Sequence, residues 1–208
     1  MAFDKDKFWA HVREPIATLL YAGKMRRNLK NKNFTILSCN CAAGIIYHRY
    51  NHQFLSPTIN LWIEQNDFLK FVSNLDYYVA QELHFIKTDV DYPVAECADI
   101  KIWFNHYTEE SEAREKWESR KKRINKENLF ILMSERDGIG REEILKLGEV
   151  PCKNRVIFTS HKYDDIPYAC YLPPYEGEDE VGYYLEKNPV TDKTVMEEYF
   201  DFTKWLNV

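Results

Sequence analysis

The sequence lacks the cysteine patterns that stabilise small secreted domains or bind structural zinc. Its 208 residues include five cysteines, an odd number, with no C-x-x-C pair and no histidine at zinc-finger spacing. The cysteines are Cys39, Cys41, Cys97, Cys152 and Cys170. We therefore expect reduced thiols in a cytoplasmic protein. Residues 3–7 are charged with no apolar run after them, so we expect no signal peptide.

Long apolar runs and a strong net charge are also absent. The apolar stretches are far shorter than the roughly 18 residues that cross a bilayer. With 28 basic and 33 acidic side chains the formal net charge is −5, which argues against general nucleic-acid binding. Aromatic residues are abundant, at 15%. They suit a large core, and also a surface that stacks on flat ligands or sugar rings.

Residues 1–32 predict a helical preface, followed by a single domain over residues 33–208. The preface ends in a basic tract, which comprises Lys24, Arg26, Arg27, Lys30 and Lys32. These cations suit a solvated helix end, where they face the negative end of the helix dipole. They also suit a patch for anionic lipid or a phosphorylated carrier, although the solvated helix end is the preferred interpretation. Peripheral membrane contact through residues 1–32 therefore stays open.

Strand-like and helix-like segments alternate along residues 33–208. The predicted strands lie at 34–37, 58–63, 83–86, 100–104, 128–133, 155–159 and 168–172. The predicted helices lie at 42–50, 67–78, 109–124, 141–147 and 195–206. This order predicts an α/β fold with a largely parallel sheet in a three-layer αβα arrangement, as one unit or as two similar packed halves.

Three predicted strands share a plan in which Asn precedes an apolar run and Ser follows it. The segments are NFTILS at 33–38, NLFILMS at 128–134 and NRVIFTS at 154–160. Ends of parallel strands gather at one sheet edge, where ligands bind in this class of fold. We expect Ser38, Ser134 and Ser160 to meet there and to contact substrate, joined by Asn105 and His106. Each serine could instead cap the following helix.

The first of these strand ends has the layout of an anion site. The segment SCNCAAG at 38–44 places small residues between a strand and a helix, so backbone N–H groups can face a phosphate or carboxylate. We assign Ser38, Asn40 and Gly44 to substrate binding. The segment matches neither the P-loop nor the G-x-G-x-x-G pattern, so it does not support a nucleoside triphosphatase or a dinucleotide enzyme. Thiols of Cys39 and Cys41 are expected to be acidified near the helix start, which permits a cysteine nucleophile.

The other two strand ends supply candidates for proton transfer. Asp137 could act as a general base and Arg136 could hold a phosphate, although Asp137 could instead open a turn with Gly138. His161 directly follows a predicted strand end, which suits an acid or base. We assign catalysis to Asp137 and His161, and substrate binding to Arg136.

A D-x-D triplet at residues 89–91 has the form that binds a divalent metal in many sugar transferases. In a chain with 33 acidic residues one such triplet is expected by accident, and its position before Tyr92-Pro93 indicates a turn. We therefore assign no metal ligand, and the sequence indicates no particular cofactor.

Seven segments taken together resemble one bacterial family. They are NFTILSCNCAAG (33–44), SPTINLWI (56–63), YPV (92–94), DIKIWFNHY (99–107), EAREKWESRKKRI (112–124), SERD (134–137) and FTS (158–160). The family is domain of unknown function 1919, and its members are usually labelled exopolysaccharide or capsule biosynthesis proteins. The resemblance spans about residues 30–206. Family members often read Ser-Asn-Asn-Cys in the first loop, whereas Cys39 stands at the second of these positions here.

The resemblance implies a role in assembling surface glycans, whose chemistry uses nucleotide-sugar donors and lipid-phosphate acceptors. We predict a sugar-modifying, glycosyltransferase-like transferase that binds a nucleotide-sugar or a phosphorylated glycan carrier and no nucleic acid. One alternative is a non-catalytic accessory protein that binds glycan or lipid carrier. Another is a hydrolase with Ser38 or Cys41 as nucleophile, although a triad of Ser38, His161 and Asp137 would lack a nucleophile elbow.

Overall fold

The computed structural model describes residues 19–208. Much of the predicted helical preface lies outside the described residues, but residues 19–28 form a helix, α1. Ala22, Met25 and Leu29 of this part of the chain are buried in the core. Arg26 of the basic tract donates from Nε to the carbonyl of Arg49 at 2.8 Å. The end of the preface therefore packs against the rest of the domain.

Seven strands and seven further helices follow. The strands are β1 (Thr35–Ser38), β2 (His84–Ile86), β3 (Val94–Cys97), β4 (Ile100–Trp103), β5 (Leu129–Ser134), β6 (Asn154–Thr159) and β7 (Ala169–Tyr171). The helices are α2 (Ala42–Tyr50), α3 (Gln65–Ser73), α4 (Leu75–Ala80), α5 (Glu110–Lys121), α6 (Arg141–Glu149), α7 (Val195–Tyr199) and α8 (Phe202–Leu206). In the described residues, no helix is both long and apolar enough to cross a membrane.

The main sheet has four parallel strands in the order β1-β5-β6-β7, which confirms the predicted parallel sheet for this part of the chain. Ser38 pairs with Leu132, and Ser134 pairs with Phe158. Because all four strands run in the same direction, the carboxyl ends of β1, β5 and β6 lie at one edge, as expected.

A second sheet is antiparallel, in the order β2-β3-β4. The prediction missed β3 and assigned residues 100–104 to the parallel sheet, and this part was wrong. Only Ala98 and Asp99 separate β3 from β4, with Ala98 in the left-handed region at φ 54°. A two-residue turn can join antiparallel neighbours only, because a parallel crossover needs many more residues. The protein is thus a mixed α/β fold with two separate sheets.

Three other predicted elements differ in the structure. Residues 58–63 form no regular strand, since Asn60 has φ 59° and Trp62 makes a single bridge. The predicted helix 67–78 is divided into α3 and α4 at Asn74, whose ψ of 54° is not helical. The closing helix is divided as well, because the carboxylate of Asp201 accepts from the N–H of Lys204 and starts α8.

The core occupies both faces of the parallel sheet. Along β5, Ile131 and Met133 join a cluster that contains Trp117 of α5, whereas Phe130 and Leu132 join one that contains Ile46 of α2. This alternation is the two-residue side-chain period of a strand. Of the 28 aromatic side chains among the described residues, 13 are buried in these two clusters and 8 more pack against them, so the aromatic excess is mainly a property of the core.

Candidate functional site

The two sheets are joined by a short segment, and this junction positions a pocket. The backbones of Trp62 and Trp103 exchange two hydrogen bonds of 2.8 Å, and the N–H of Ile63 donates to the carbonyl of Cys39 at 2.8 Å. Residues 62–63 therefore connect the carboxyl end of β4 to that of β1. As a result, the loop after β4 faces the loop after β1.

The pocket at this junction has a volume of about 530 Å³. It is lined by Asn40, Cys41, Gly44, Ile45, His48, Asn60, Leu61, Trp62, Asn105, His106, Arg136, Tyr183, Tyr184 and Leu185. Several predicted substrate-binding residues thus come together here, namely Asn40, Gly44, Asn105, His106 and Arg136. No aspartate or glutamate is among the described residues that line it.

Asn40 forms part of the wall and is fixed by its neighbours. Its side-chain oxygen accepts from the N–H of Ala42 at 3.0 Å, at the first residue of α2. Its amide nitrogen donates to the hydroxyl of Tyr184 at 2.8 Å. Burial raises the pKa of Tyr184, so this hydroxyl stays protonated at neutral pH. The pair joins the first loop to the segment that covers the site.

Asn60 and Asn105 present free amide groups to the pocket. In the described part of the chain, neither side chain hydrogen-bonds to another protein group. Asn60 lies against Gly44, where an added Cβ would come within 3.0 Å of its Oδ1. Glycine therefore lets α2 approach this amide closely. Free polar groups in a concave site are those that orient a ligand.

The three predicted serines converge at the sheet edge but are buried behind the pocket. The hydroxyl of Ser38 donates to the carbonyl of Asn40 and accepts from the N–H of Ala43. Ser134 accepts from Gln65, and Ser160 donates to Glu135. All three are at most 2% exposed. Only Ser38 accepts from a helix N–H, that of Ala43 in α2, so the capping interpretation applies to Ser38 alone. All three serines shape the loops and do not line the pocket.

Cys41 and His106 meet at the pocket although 65 positions separate them in sequence. The Sγ of Cys41 lies 3.0 Å from Nε2 of His106. The expected acidification of the first-loop thiols is wrong: burial raises the pKa of Cys41, against a smaller effect of its own backbone N–H. Burial likewise raises the pKa of the fully buried Cys39 to about 11. Both thiols are therefore protonated at neutral pH.

His161 belongs to a different cluster, centred on the buried carboxylate of Glu135. Oε2 of Glu135 accepts from the N–H of Ser160 at 2.9 Å and of His161 at 3.2 Å, and from the Ser160 hydroxyl. Oε1 lies 3.1 Å from Nδ1 of His161 and accepts from the hydroxyl of Tyr163 at 2.5 Å. Only 2% of Glu135 is exposed, and His161 does not line the pocket.

Asp137 lies in a turn beside the pocket. It has φ 56°, the following Gly138 has φ 75°, and its N–H donates to Oε2 of Glu180 at 3.0 Å. The predicted Asp-Gly turn is thus present, and Asp137 is not a lining residue. Arg136 does line the pocket, and its Nη1 makes a 3.4 Å contact with the carbonyl of Gly182.

The sequence prediction missed Asn60, Trp62, Tyr183 and Tyr184 in the pocket and Glu135 behind it. Trp62 and Asn60 lie in the SPTINLWI segment, which the resemblance marked without a role. The D-x-D residues lie in a bend, and the described residues contain no group of three or more His, Cys, Asp or Glu side chains that could bind a metal ion.

A mixed α/β domain with a pocket at the junction of its two sheets is thus the class that the geometry defines. The model of the family described as domain of unknown function (DUF1919) matches residues 15–207, so the chain belongs to this family. It is also 38% identical over 183 residues to an "uncharacterized protein" of Haemophilus influenzae, which covers 88% of each chain. The association with capsule or exopolysaccharide stays a prediction.

Proposed function

We propose that the protein is a sugar-modifying transferase of bacterial surface-polysaccharide synthesis, and that the pocket binds its sugar-containing substrate. The observation that carries this proposal is the lining: amide, imidazole, guanidinium and aromatic groups without a carboxylate among the described residues. Amides and aromatic rings are the groups that hydrogen-bond and stack on sugars.

The charge of the pocket supports an anionic substrate. Arg136 lines it, and among the described lining residues the other basic side chains are the imidazoles of His48 and His106. This contrasts with a chain of net charge −5. A guanidinium with no carboxylate among the described residues that line the site favours a phosphate or carboxylate ligand. A nucleotide-sugar or a phosphorylated glycan carrier has this chemistry.

The aromatic side chains support a sugar ring beside that anion. Trp62 is half-buried and Tyr183 is 66% exposed, and both line the pocket. Asn60 and Asn105 add amides that have no protein partner among the described residues. A sugar has one apolar face and several hydroxyls, and these two kinds of group match both features.

Binding of charged and uncharged probes tests the proposal. We expect UDP-glucose or glucose 1-phosphate to bind in calorimetric titrations and uncharged methyl glucoside to bind much more weakly. Arg136→Gln should weaken binding about tenfold, since a hydrogen bond to a charged group contributes about 1.5–3 kcal/mol. Arg141→Gln is the matched control, because Arg141 is exposed and paired with Asp165.

The proposal would be overturned if neither phosphorylated probe bound. Equal weakening by Arg136→Gln and Arg141→Gln would also contradict it, because the effect would then reflect overall charge. A non-catalytic binding role is the second candidate, since the predicted catalytic residues Asp137 and His161 do not line the pocket. Probe binding without turnover in any combination of donor and acceptor would favour that role.

A further inference from the structure

We propose that Cys41 is a covalent nucleophile with His106 as its proton acceptor, and that the transferred group is an acyl group. This inference rests on the proposed function for the identity of the acceptor, a sugar hydroxyl. It adds the reaction class and the two reacting side chains. The observation is the 3.0 Å approach of Sγ to Nε2 inside the pocket.

The other cysteines lack such a partner. Cys39 accepts from Gln65, whereas the thiols of Cys97 and Cys152 donate to backbone carbonyls. Cys170 makes a 3.8 Å contact with the carbonyl of Tyr199. All five cysteines lie within the described residues, and of these thiols only that of Cys41 contacts an imidazole. A structural thiol needs no base, but a nucleophile does.

The arrangement also leaves both reacting groups available. Cys41 is the N-cap residue of α2, but its side chain makes no capping hydrogen bond. His106 is exposed at the rim of the pocket, and in the described part of the chain its Nδ1 has no hydrogen-bond partner. The contact is maintained by backbone pairing between the two sheets at Trp62 and Trp103. The two side chains are thus held together without being used to hold the fold.

A base is necessary because burial raises the pKa of Cys41. The thiolate is the nucleophilic form, and little of it is present at neutral pH in a thiol of this kind. Imidazole at hydrogen-bond distance can accept the proton as the sulfur attacks. The described lining residues include the guanidinium of Arg136 and no carboxylate, and this charge pattern favours the negative charge that develops.

The reaction has two balanced halves. The sulfur of Cys41 attacks the carbonyl carbon of an activated acyl ester or thioester, and the C–S bond forms as the bond to the leaving group breaks. His106 takes the thiol proton and gives it to that leaving group. A sugar hydroxyl then attacks the thioester, the C–O bond forms as the C–S bond breaks, and the hydroxyl proton returns to sulfur through His106. No electrons are gained or lost overall.

Acyl transfer fits these groups better than glycosyl transfer. Thiol and imidazole pairs form acyl intermediates, whereas covalent chemistry at the anomeric carbon typically uses carboxylates. The described pocket residues provide the first pair and no carboxylate. A dithiol reaction is disfavoured, because the nearest cysteine in sequence, Cys39, is fully buried against Gln65.

The experiment follows acetylation of the full chain by p-nitrophenyl acetate, with p-nitrophenol release and peptide mass spectrometry as readouts. We expect one acetyl group on Cys41, and loss of labelling in Cys41→Ser and after alkylation of the wild-type protein by iodoacetamide. His106→Ala should slow acetylation about a hundredfold or more, as expected for a lost general base. Cys170→Ser and His84→Ala are matched controls outside the pocket and should react like the wild type.

Acetylation of another cysteine instead of Cys41, or an unchanged rate in folded His106→Ala, would overturn the inference. Circular dichroism establishes that each variant is folded, and the alkylation arm needs no variant. Titration of Cys41→Ser with UDP-glucose separates the two proposals. If UDP-glucose still binds but Cys41 of the wild-type protein is not acetylated, only the acyl mechanism is refuted. If Cys41 is acetylated but no phosphorylated probe binds, only the anionic-sugar site is refuted.

Discussion

His161 follows β6 of the parallel sheet and His106 follows β4 of the antiparallel sheet, and the two side chains contact different kinds of group. His161 contacts a buried carboxylate that also accepts from Ser160 and Tyr163. His106 contacts one thiol, in a pocket whose nearby amides Asn60 and Asn105 lack protein partners in the described residues. The first cluster is saturated with internal hydrogen bonds, and the second is not.

This difference indicates which cluster holds structure and which faces a ligand. A buried carboxylate with several donors ties adjacent loops together, and its loss leaves those donors unsatisfied. Polar groups that remain unpaired in a concave site keep their hydrogen-bonding capacity for a ligand. The catalytic roles of Asp137 and His161 stay predictions, and the comparison favours His106 over His161 as the histidine that reacts.

The largest expected contrast is in stability. Glu135→Ala removes the acceptor shared by Ser160, His161 and Tyr163, so the free energy of unfolding should fall by about 3–5 kcal/mol. His106→Ala removes an exposed side chain and should change it by at most about 0.5 kcal/mol. Urea denaturation at a constant slope measures both values.

Glu135→Gln serves as the conservative control for that measurement. It keeps one side-chain oxygen for the donors, so its loss should be smaller than that of Glu135→Ala. If His106→Ala proved as destabilising as Glu135→Ala, the two clusters would be alike in structural importance. The distinction between a saturated cluster and a ligand site would then fail.

Local sequence predicted the elements that carry the first loop. The predicted helix 42–50 coincides with α2, and the apolar runs ending in Ser38, Ser134 and Thr159-Ser160 form parallel strands with their ends at one edge. These features depend on residues close together in sequence. An apolar run followed by small polar residues is sufficient to indicate both the strand and the position of its carboxyl end.

The pairing of Cys41 with His106 could not be predicted in the same way. It depends on the hairpin between β3 and β4, whose Ala98-Asp99 turn has no Gly or Asn to signal a left-handed residue. It depends also on the backbone bridge between Trp62 and Trp103, since bridges between distant residues leave no local pattern. The orientation of each serine side chain could not be predicted either, because the sequence at a strand end does not determine which face of the sheet the last side chain lies on.

The next contrast lies between the two thiols of the first loop, and iodoacetamide measures it. Because burial raises the pKa of Cys41, its thiolate fraction and alkylation rate should rise about tenfold per pH unit from pH 7 until the pH passes that raised pKa. Cys39 should react at least about tenfold more slowly, being fully buried with a pKa of about 11. Peptide mass spectrometry separates the two sites.

Among the described residues, the charged and titratable groups that line the pocket with Cys41 are His106, His48, Arg136, Tyr183 and Tyr184. If Cys41 and His106 formed a thiolate–imidazolium pair before substrate binds, the alkylation rate of Cys41 would level off below pH 7. Such a plateau would contradict the raised pKa and would make His106 an ion-pair partner before substrate arrives. Cys170, half-buried and outside the pocket, is the reference thiol.

The smallest contrast compares two helical glycines, Gly44 at the pocket and Gly23 in α1. An added Cβ meets nothing within 4 Å at Gly23, so Gly23→Ala should raise the free energy of unfolding by about 0.5–1 kcal/mol. Gly44→Ala should lose that gain, because its Cβ would lie 3.0 Å from Oδ1 of Asn60 and displace the amide. The affinity for UDP-glucose should then be several-fold lower in Gly44→Ala than in the wild type, and it should be unchanged in Gly23→Ala. Equal stabilisation by both substitutions, measured in urea, would show that Asn60 moves freely, and its amide would not be a fixed part of the ligand site.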